Sequence, residues 1–378
     1  MVLSLYIRPL YGVRSEIILN VFEKTGAKIS FYVPEYVDAV LAKDAQLFEV
    51  FKSGTREINR NRFLSLLIIG YYYKYTEECS HRKKQLGKLI DDCMSLSSSE
   101  QRDELCERIN SELLLPELPK RKKIGYKKLS LKPTAATSTI IGTINEELGY
   151  RDSLSQYFCR MLMNYCEKPL YERERIIFSE NYDFFTRACK NRALVSFSLI
   201  WHPEIIYSAI PYEIVTSHEE MMNYVLCQAR SPETDEPKAT VFRLSRIKNP
   251  CMSGKTDTLS DTVVSRLERM KKYAPQYPID FDDEICVRLS DEGEELYRKM
   301  YYSRPMYEHI EHKQNGHYYY FNCSGSQVLF YFQRFGWGNA EILSPAPLRE
   351  KMIELHRTAL EAYFHGGQDA PDNAQRTT

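Results

Sequence analysis

Apolar and polar residues alternate most cleanly in two short stretches, KISFYVPE at 28–35 and KLSLKPTA at 128–135. An offset of one hundred aligns Lys28 with Lys128, Ile29 with Leu129, Ser30 with Ser130 and Phe31 with Leu131. Successive strand residues face opposite sides. Ile29, Phe31, Val33, Leu129 and Leu131 therefore make one predicted face, and Lys28, Ser30, Tyr32, Lys128, Ser130 and Lys132 the other. A proline follows each strand, and then come two stretches of helical period. In the first copy these are Tyr36–Phe51 and Arg60–Tyr75, joined by KSGTREIN; in the second they are Thr134–Leu148 and Leu154–Glu167. Gly149 is the stop signal of one helix and Asp152 or Ser153 the cap of the next. The stretch Arg62–Tyr75 is apolar nearly all round, which predicts a core helix. Between the copies, SLSSSEQRDELCERINSELL reads as a capped helix and PELPKRKKIG as a basic linker.

Downstream, a predicted helix at Glu180–Arg192 leads into strand-like segments at 193–200, 205–216, 221–229 and 239–247. Short strands joined by polar turns predict a small antiparallel barrel. The last of them, within FRLSRIKNP at 242–250, carries three cations, and Asn249-Pro250 reads as its stop signal. Strict alternation would send Arg243 and Arg246 to opposite faces. A one-residue bulge near Ser245 would instead bury Phe242, Leu244 and Ile247 and turn both arginines outward. A helix over Asp261–Tyr273, a strand and helix in EICVRLSDEGEELYRKMY, the segment HYYYFNC and a helix from Pro347 to about Phe364 complete the pattern. The elements predict an α+β protein in four parts: 1–170, 171–275, 276–365 and a disordered tail at 366–378.

Composition changes this picture little, since 43% hydrophobic and 27% charged residues in 378 describe a folded chain. Charge changes it more. The net charge is zero, yet the densest cationic patch, Lys120–Lys132, holds seven cations in thirteen residues. A polyanionic partner would have to meet local patches of this kind. The longest apolar run, Phe63–Tyr73, is far short of the roughly 20 residues that cross a bilayer. Arg8 and Arg14 interrupt any secretory core, so a cytoplasmic protein is expected. The ten cysteines include no Cys-x-x-Cys pair, and His309 and His312 lack the spacing and glutamate of a helical zinc motif. No metal or cofactor is expected. With no glycine-rich phosphate loop and no nucleophile elbow, neither is an enzyme.

The repeated strand-helix-turn-helix unit resembles the DNA-binding ribbon-helix-helix family, whose two strands pair antiparallel into a ribbon with outward side chains that enter the major groove. Lys28, Ser30, Tyr32, Lys128, Ser130 and Lys132 would share that surface. Pro211-Tyr212, Asn223-Tyr224-Val225-Leu226 and Phe242-Arg243-Leu244-Ser245-Arg246-Ile247 resemble a WYL domain, a barrel related to the SH3 fold. Here the family's Trp-Tyr-Leu triplet reads Asn223-Tyr224-Val225, and the arginine before its proline is replaced in a region holding Tyr207 and Ser208. The resemblance implies nucleic-acid or nucleotide binding through Arg243 and Arg246 beside Tyr224, with Lys248 and Arg192 nearby. The stretch RFGWGNAEILSPAPLREKMIELHRTALEAYF is similar to the extension that accompanies WYL domains. In this order the parts resemble the WYL accessory proteins of type VI-D CRISPR systems. That implies a homodimer binding single-stranded RNA and stimulating an RNA-guided, RNA-cleaving type VI CRISPR effector. The alternative is a transcriptional regulator that reads operator DNA with the ribbon and senses a ligand with the barrel.

Overall fold

The structure, a computed structural model, describes residues 28–93, 99–109, 125–148, 153–230, 237–256, 258–279, 281–336 and 338–365. Arg8 and Arg14, the basic linker up to residue 124, Gly149, Asp152 and the tail from 366 lie outside them. Contacts divide the chain into two units, Met1–Phe184 with Leu244–Asn249, and Phe185–Arg243 with Pro250–Thr378. No described helix is long and apolar enough to cross a membrane.

In the first unit, β1 (Ile29–Pro34) pairs antiparallel with β2 (Tyr126–Leu131), Ser30 opposite Ser130 and Tyr32 opposite Lys128. The two strands of the repeat thus pair with each other inside one chain. Phe31, Val33, Leu129 and Leu131 are buried on the inner face, as the alternation predicts. The ribbon is followed and backed by α1 (Glu35–Leu47), α2 (Arg60–Cys93), α3 (Ser99–Ile109), α4 (Ala135–Leu148), α5 (Leu154–Glu167) and α6 (Leu170–Ile177). The Phe31 ring packs 5.1 Å from Phe158 on α5. α5 begins where expected because Ser153 and Gln156 close a reciprocal capping box. α1 stops at Leu47, short of the predicted Phe51, and Glu49 just beyond takes a left-handed φ of 56°. α2 runs far past the predicted Tyr75, because its charged second half keeps helical geometry after the apolar stripe that betrayed it has ended. Tyr71, Tyr72 and Tyr75 are buried, as a core helix requires. Gly70 lets α2 and α6 pass closely, since a Cβ there would sit 1.9 Å from the Ile176 carbonyl oxygen.

The division falls within α7 (Ser179–Asn191). Beyond it, β3 (Ala193–Leu199), β4 (Tyr207–Thr216), β5 (Asn223–Arg230), β6 (Pro237–Arg243) and β7 (Ile247–Thr256), of the second unit except for Ile247–Asn249, form a sheet in the order β6-β5-β4-β3-β7. This corrects the expected barrel: the sheet is open, with β6 and β7 as its two edges and no ladder joining them among the described residues. Nor does a bulge form at Ser245. A turn of 3-10 helix, Leu244–Arg246, takes its place, and the irregularity in the ladder lies between Pro211 and Glu213. Phe242, Leu244 and Ile247 are buried all the same. β7 also runs through Asn249-Pro250, which does not stop it. An edge strand can spare the proline's missing donor, and Asn249 supplies a left-handed φ of 49°.

α8 (Asp261–Tyr273) is capped by Ser260, whose Oγ accepts from the Val263 amide at 3.3 Å. Its Val263, Leu267 and Met270 pack with Leu226 and Ala239 of the sheet. A second antiparallel sheet joins β8 (Ile285–Leu289), β9 (His309–Lys313), β10 (Gly316–Phe321) and β11 (Ala340–Ser344) in the order β11-β8-β10-β9. α9 (Asp291–Lys299), α10 (Gly325–Phe332) and α11 (Ala346–His365) accompany it. Tyr297, Tyr319, Phe321, Tyr331 and Phe332 are central to its core.

Candidate nucleic-acid interface

The strand register decides what the outer face of the ribbon presents. Ser30 and Ser130 meet across it with hydroxyl oxygens 3.3 Å apart, and Tyr32 stands opposite Lys128. Lys28, Tyr32, Lys128 and Lys132 are exposed and Ser130 is half-buried, so the six predicted outward residues share one solvent-facing surface. None of the six is acidic. Lys128 and Lys132 lie four residues apart, about 13 Å along the strand. That exceeds the Debye length of about 8 Å at physiological salt, so their mutual repulsion is screened while each still offers a cation to a phosphate.

Two side chains that sequence reasoning passed over hold this surface in place. Asn61, in the first turn of α2, grips the backbone of Lys132 from both sides: its Oδ1 accepts from the Lys132 amide at 2.7 Å and its Nδ2 donates to the Lys132 carbonyl at 3.2 Å. Ser155 Oγ accepts from the Tyr32 amide at 3.2 Å and so caps the open edge of β1. Residues 71 and 123 positions apart carry no local signal of such pairing.

The residues expected on the barrel are engaged differently. The Arg246 guanidinium makes a forked contact with Glu49, Nε and Nη2 lying 3.1 and 2.7 Å from its Oε1. Arg243, in the other unit, reaches the Met222 sulfur at 3.3 Å. Tyr224 is 7% exposed, and its hydroxyl donates to Glu220; the ring sits within the fold, where no base can stack on it. Arg192 is exposed but lies over the Tyr212 ring at 4.7 Å, with Nη1 donating to the Tyr212 carbonyl at 3.3 Å. Lys248 is half-buried; burial, and then the neighbouring Arg62 guanidinium, lower its ammonium below the usual range. Of the predicted site residues, the ribbon set is therefore the group brought together facing solvent.

No family profile matches the chain, and no curated protein does. Among solved structures, a CRISPR Cas-related protein matches with a TM-score of 0.64 and 21% identity, over 91% of this chain and 96% of that one. The proteasome accessory factor B/C of Arthrobacter aurescens matches with a TM-score of only 0.22 and 13% identity, over 50% of this chain and 28% of that one, too low to bear on the fold. At 21% identity the first likeness is one of fold: the chain is folded like a CRISPR Cas-related protein along most of its length.

Proposed function

We propose that this chain is a non-enzymatic accessory protein of a CRISPR system, which binds single-stranded RNA and stimulates an RNA-guided, RNA-cleaving effector. The observation that carries the reading is the outer face of the ribbon, where Lys28, Lys128 and Lys132 surround Ser30, Ser130 and Tyr32 without an acidic side chain among them. Lysines supply the charge that tracks a phosphate backbone, and an exposed ring supplies a platform for a base. Tyr32, 39% exposed, favours an unpaired strand, because the bases of a closed duplex have no free face to stack on it. The fold shared with a CRISPR Cas-related protein supports the setting. A homodimer belongs to the same reading. Ile353, Leu360, Tyr363 and Phe364 recur at helical spacing along α11 and are 51–86% exposed, a face suited to a second copy.

The test is a binding comparison between single-stranded RNA and duplex DNA of matched length, followed by effector cleavage assays with and without the protein. RNA should bind more tightly, cleavage should accelerate, and Lys28→Ala with Lys128→Ala and Lys132→Ala should weaken both effects while leaving measurable residual binding. Tighter uptake of one duplex sequence than of any single strand would overturn the reading in favour of an operator-binding regulator.

A further inference from the structure

The β9–β10 hairpin carries a cluster that neither the ribbon nor its proposed function uses. His312 and His317 are direct cross-strand partners on either side of the turn at Gln314-Asn315, and their Nδ1 atoms lie 2.6 Å apart. Glu294 approaches from α9, and one ligand atom from each of the three residues falls within 4.8 Å of the others. We infer that Glu294, His312 and His317 bind a first-row divalent metal ion of the Zn²⁺ class, clamping the hairpin to α9.

The donor set is two imidazoles and a carboxylate, which suits such an ion and leaves a further position for water. Metal–nitrogen bonds of about 2.0–2.1 Å in a tetrahedral site set two ring nitrogens about 3.3 Å apart. The imidazoles would open by less than about 1 Å. The surroundings are built as a supporting shell. His317 Nε2 lies 3.0 Å from Asp291 Oδ1 and 4.0 Å from Glu294 Oε2, so ligation through Nδ1 would leave Nε2 to a carboxylate, the arrangement that orients a metal ligand. The Tyr319 hydroxyl donates to Glu294 Oε1 at 2.9 Å. Arg298 sits 3.0 Å from Glu294 Oε2, but its side chain is 69% exposed and can yield to an ion by turning into water. Without metal, one Nδ1–H would simply donate to the other Nδ1, and the hairpin would hold a hydrogen-bonded histidine pair.

Zinc uptake by the chelator-treated full chain separates these states, with Co²⁺ as a spectroscopic probe. The expected result is saturable binding, Co²⁺ d–d bands of nitrogen and oxygen ligation, and the loss of one equivalent per chain in His312→Ala and in His317→Ala. His312 is exposed, so its replacement leaves the core intact. Asp291→Asn should weaken binding 10–100-fold. Absence of saturable uptake, or uptake that His312→Ala leaves unchanged, overturns the inference. RNA binding by the same His312→Ala chain is expected to be unaltered, which keeps this test separate from that of the ribbon.

Discussion

Asp44 is fully buried on α1, where Arg173 Nη1 lies 3.0 Å from its Oδ2 and the Tyr165 hydroxyl donates to that oxygen at 2.9 Å. Burial raises its carboxyl above the ordinary range, while Arg173 and then Tyr165 pull it part of the way back. Removing one partner of such a pair costs about 3–5 kcal/mol when the other is stranded charged. A stranded carboxyl, unlike a guanidinium, can take up a proton. With Arg173→Met the Asp44 pKa should rise further, so the folded state binds that proton more tightly than the unfolded chain. The contribution is full below the unfolded pKa near ~4 and is lost as pH rises through the folded value. Denaturant unfolding of Arg173→Met should therefore show a loss of about 3 kcal/mol at neutral pH that shrinks steadily as the solution is acidified; a pH-independent loss would contradict the ion pair. On the ribbon, Tyr32→Ala should weaken single-stranded RNA by about 1–3 kcal/mol if the ring stacks on a base, in a chain that still folds. The alternation made Tyr32 legible as outward. Tyr224 looked equally suitable, but its burial comes from β6 beside it and from Glu220, four residues earlier, and only the folded chain reveals both.

Elements were read best where one physical signal dominated. α8 and the second half of the repeat appear with nearly their predicted bounds, because a capping serine and an amphipathic stripe mark them. β9 escaped notice because His309–Lys313 is a polar edge strand with no buried alternate face. The charged end of α2 escaped for the same reason. The ribbon gives a sharp test of register. Ser30 and Ser130 are direct partners with hydroxyls 3.3 Å apart, so Ser30→Cys with Ser130→Cys should oxidise to a disulfide. Peptide mapping, needed because the chain has ten other cysteines, should find the bond within one chain, and denaturing gels without reductant should keep it in the monomer band. Cross-linked dimers would mean that the strands pair between chains.

On the scale of the whole molecule, zero net charge forbids a general attraction to polyanions, so binding must come from where cations gather. Each phosphate contact to a single strand contributes about 0.7 to the slope of log affinity against log salt. Removing Lys28, Lys128 and Lys132 together should accordingly flatten the slope by about 2 in a fluorescence-anisotropy titration. An unchanged slope would place the interface elsewhere. The chain path also matters here, for Leu244–Asn249 returns to the first unit, where the Ile247 carbonyl accepts from Asn181 Nδ2 at 2.9 Å and Arg246 pairs with Glu49. Arginines three residues apart were expected to act together, yet they belong to different units. By itself the sequence determined the alternating faces of the ribbon, most helix positions and the gathering of lysines, because periodicity and capping act over a few residues. Only the tertiary structure decided that the ribbon closes within one chain, that the five-stranded sheet stays open, and that His312, His317 and Glu294 converge. Those outcomes depend on strand pairing and on partners distant in sequence, which no local pattern encodes.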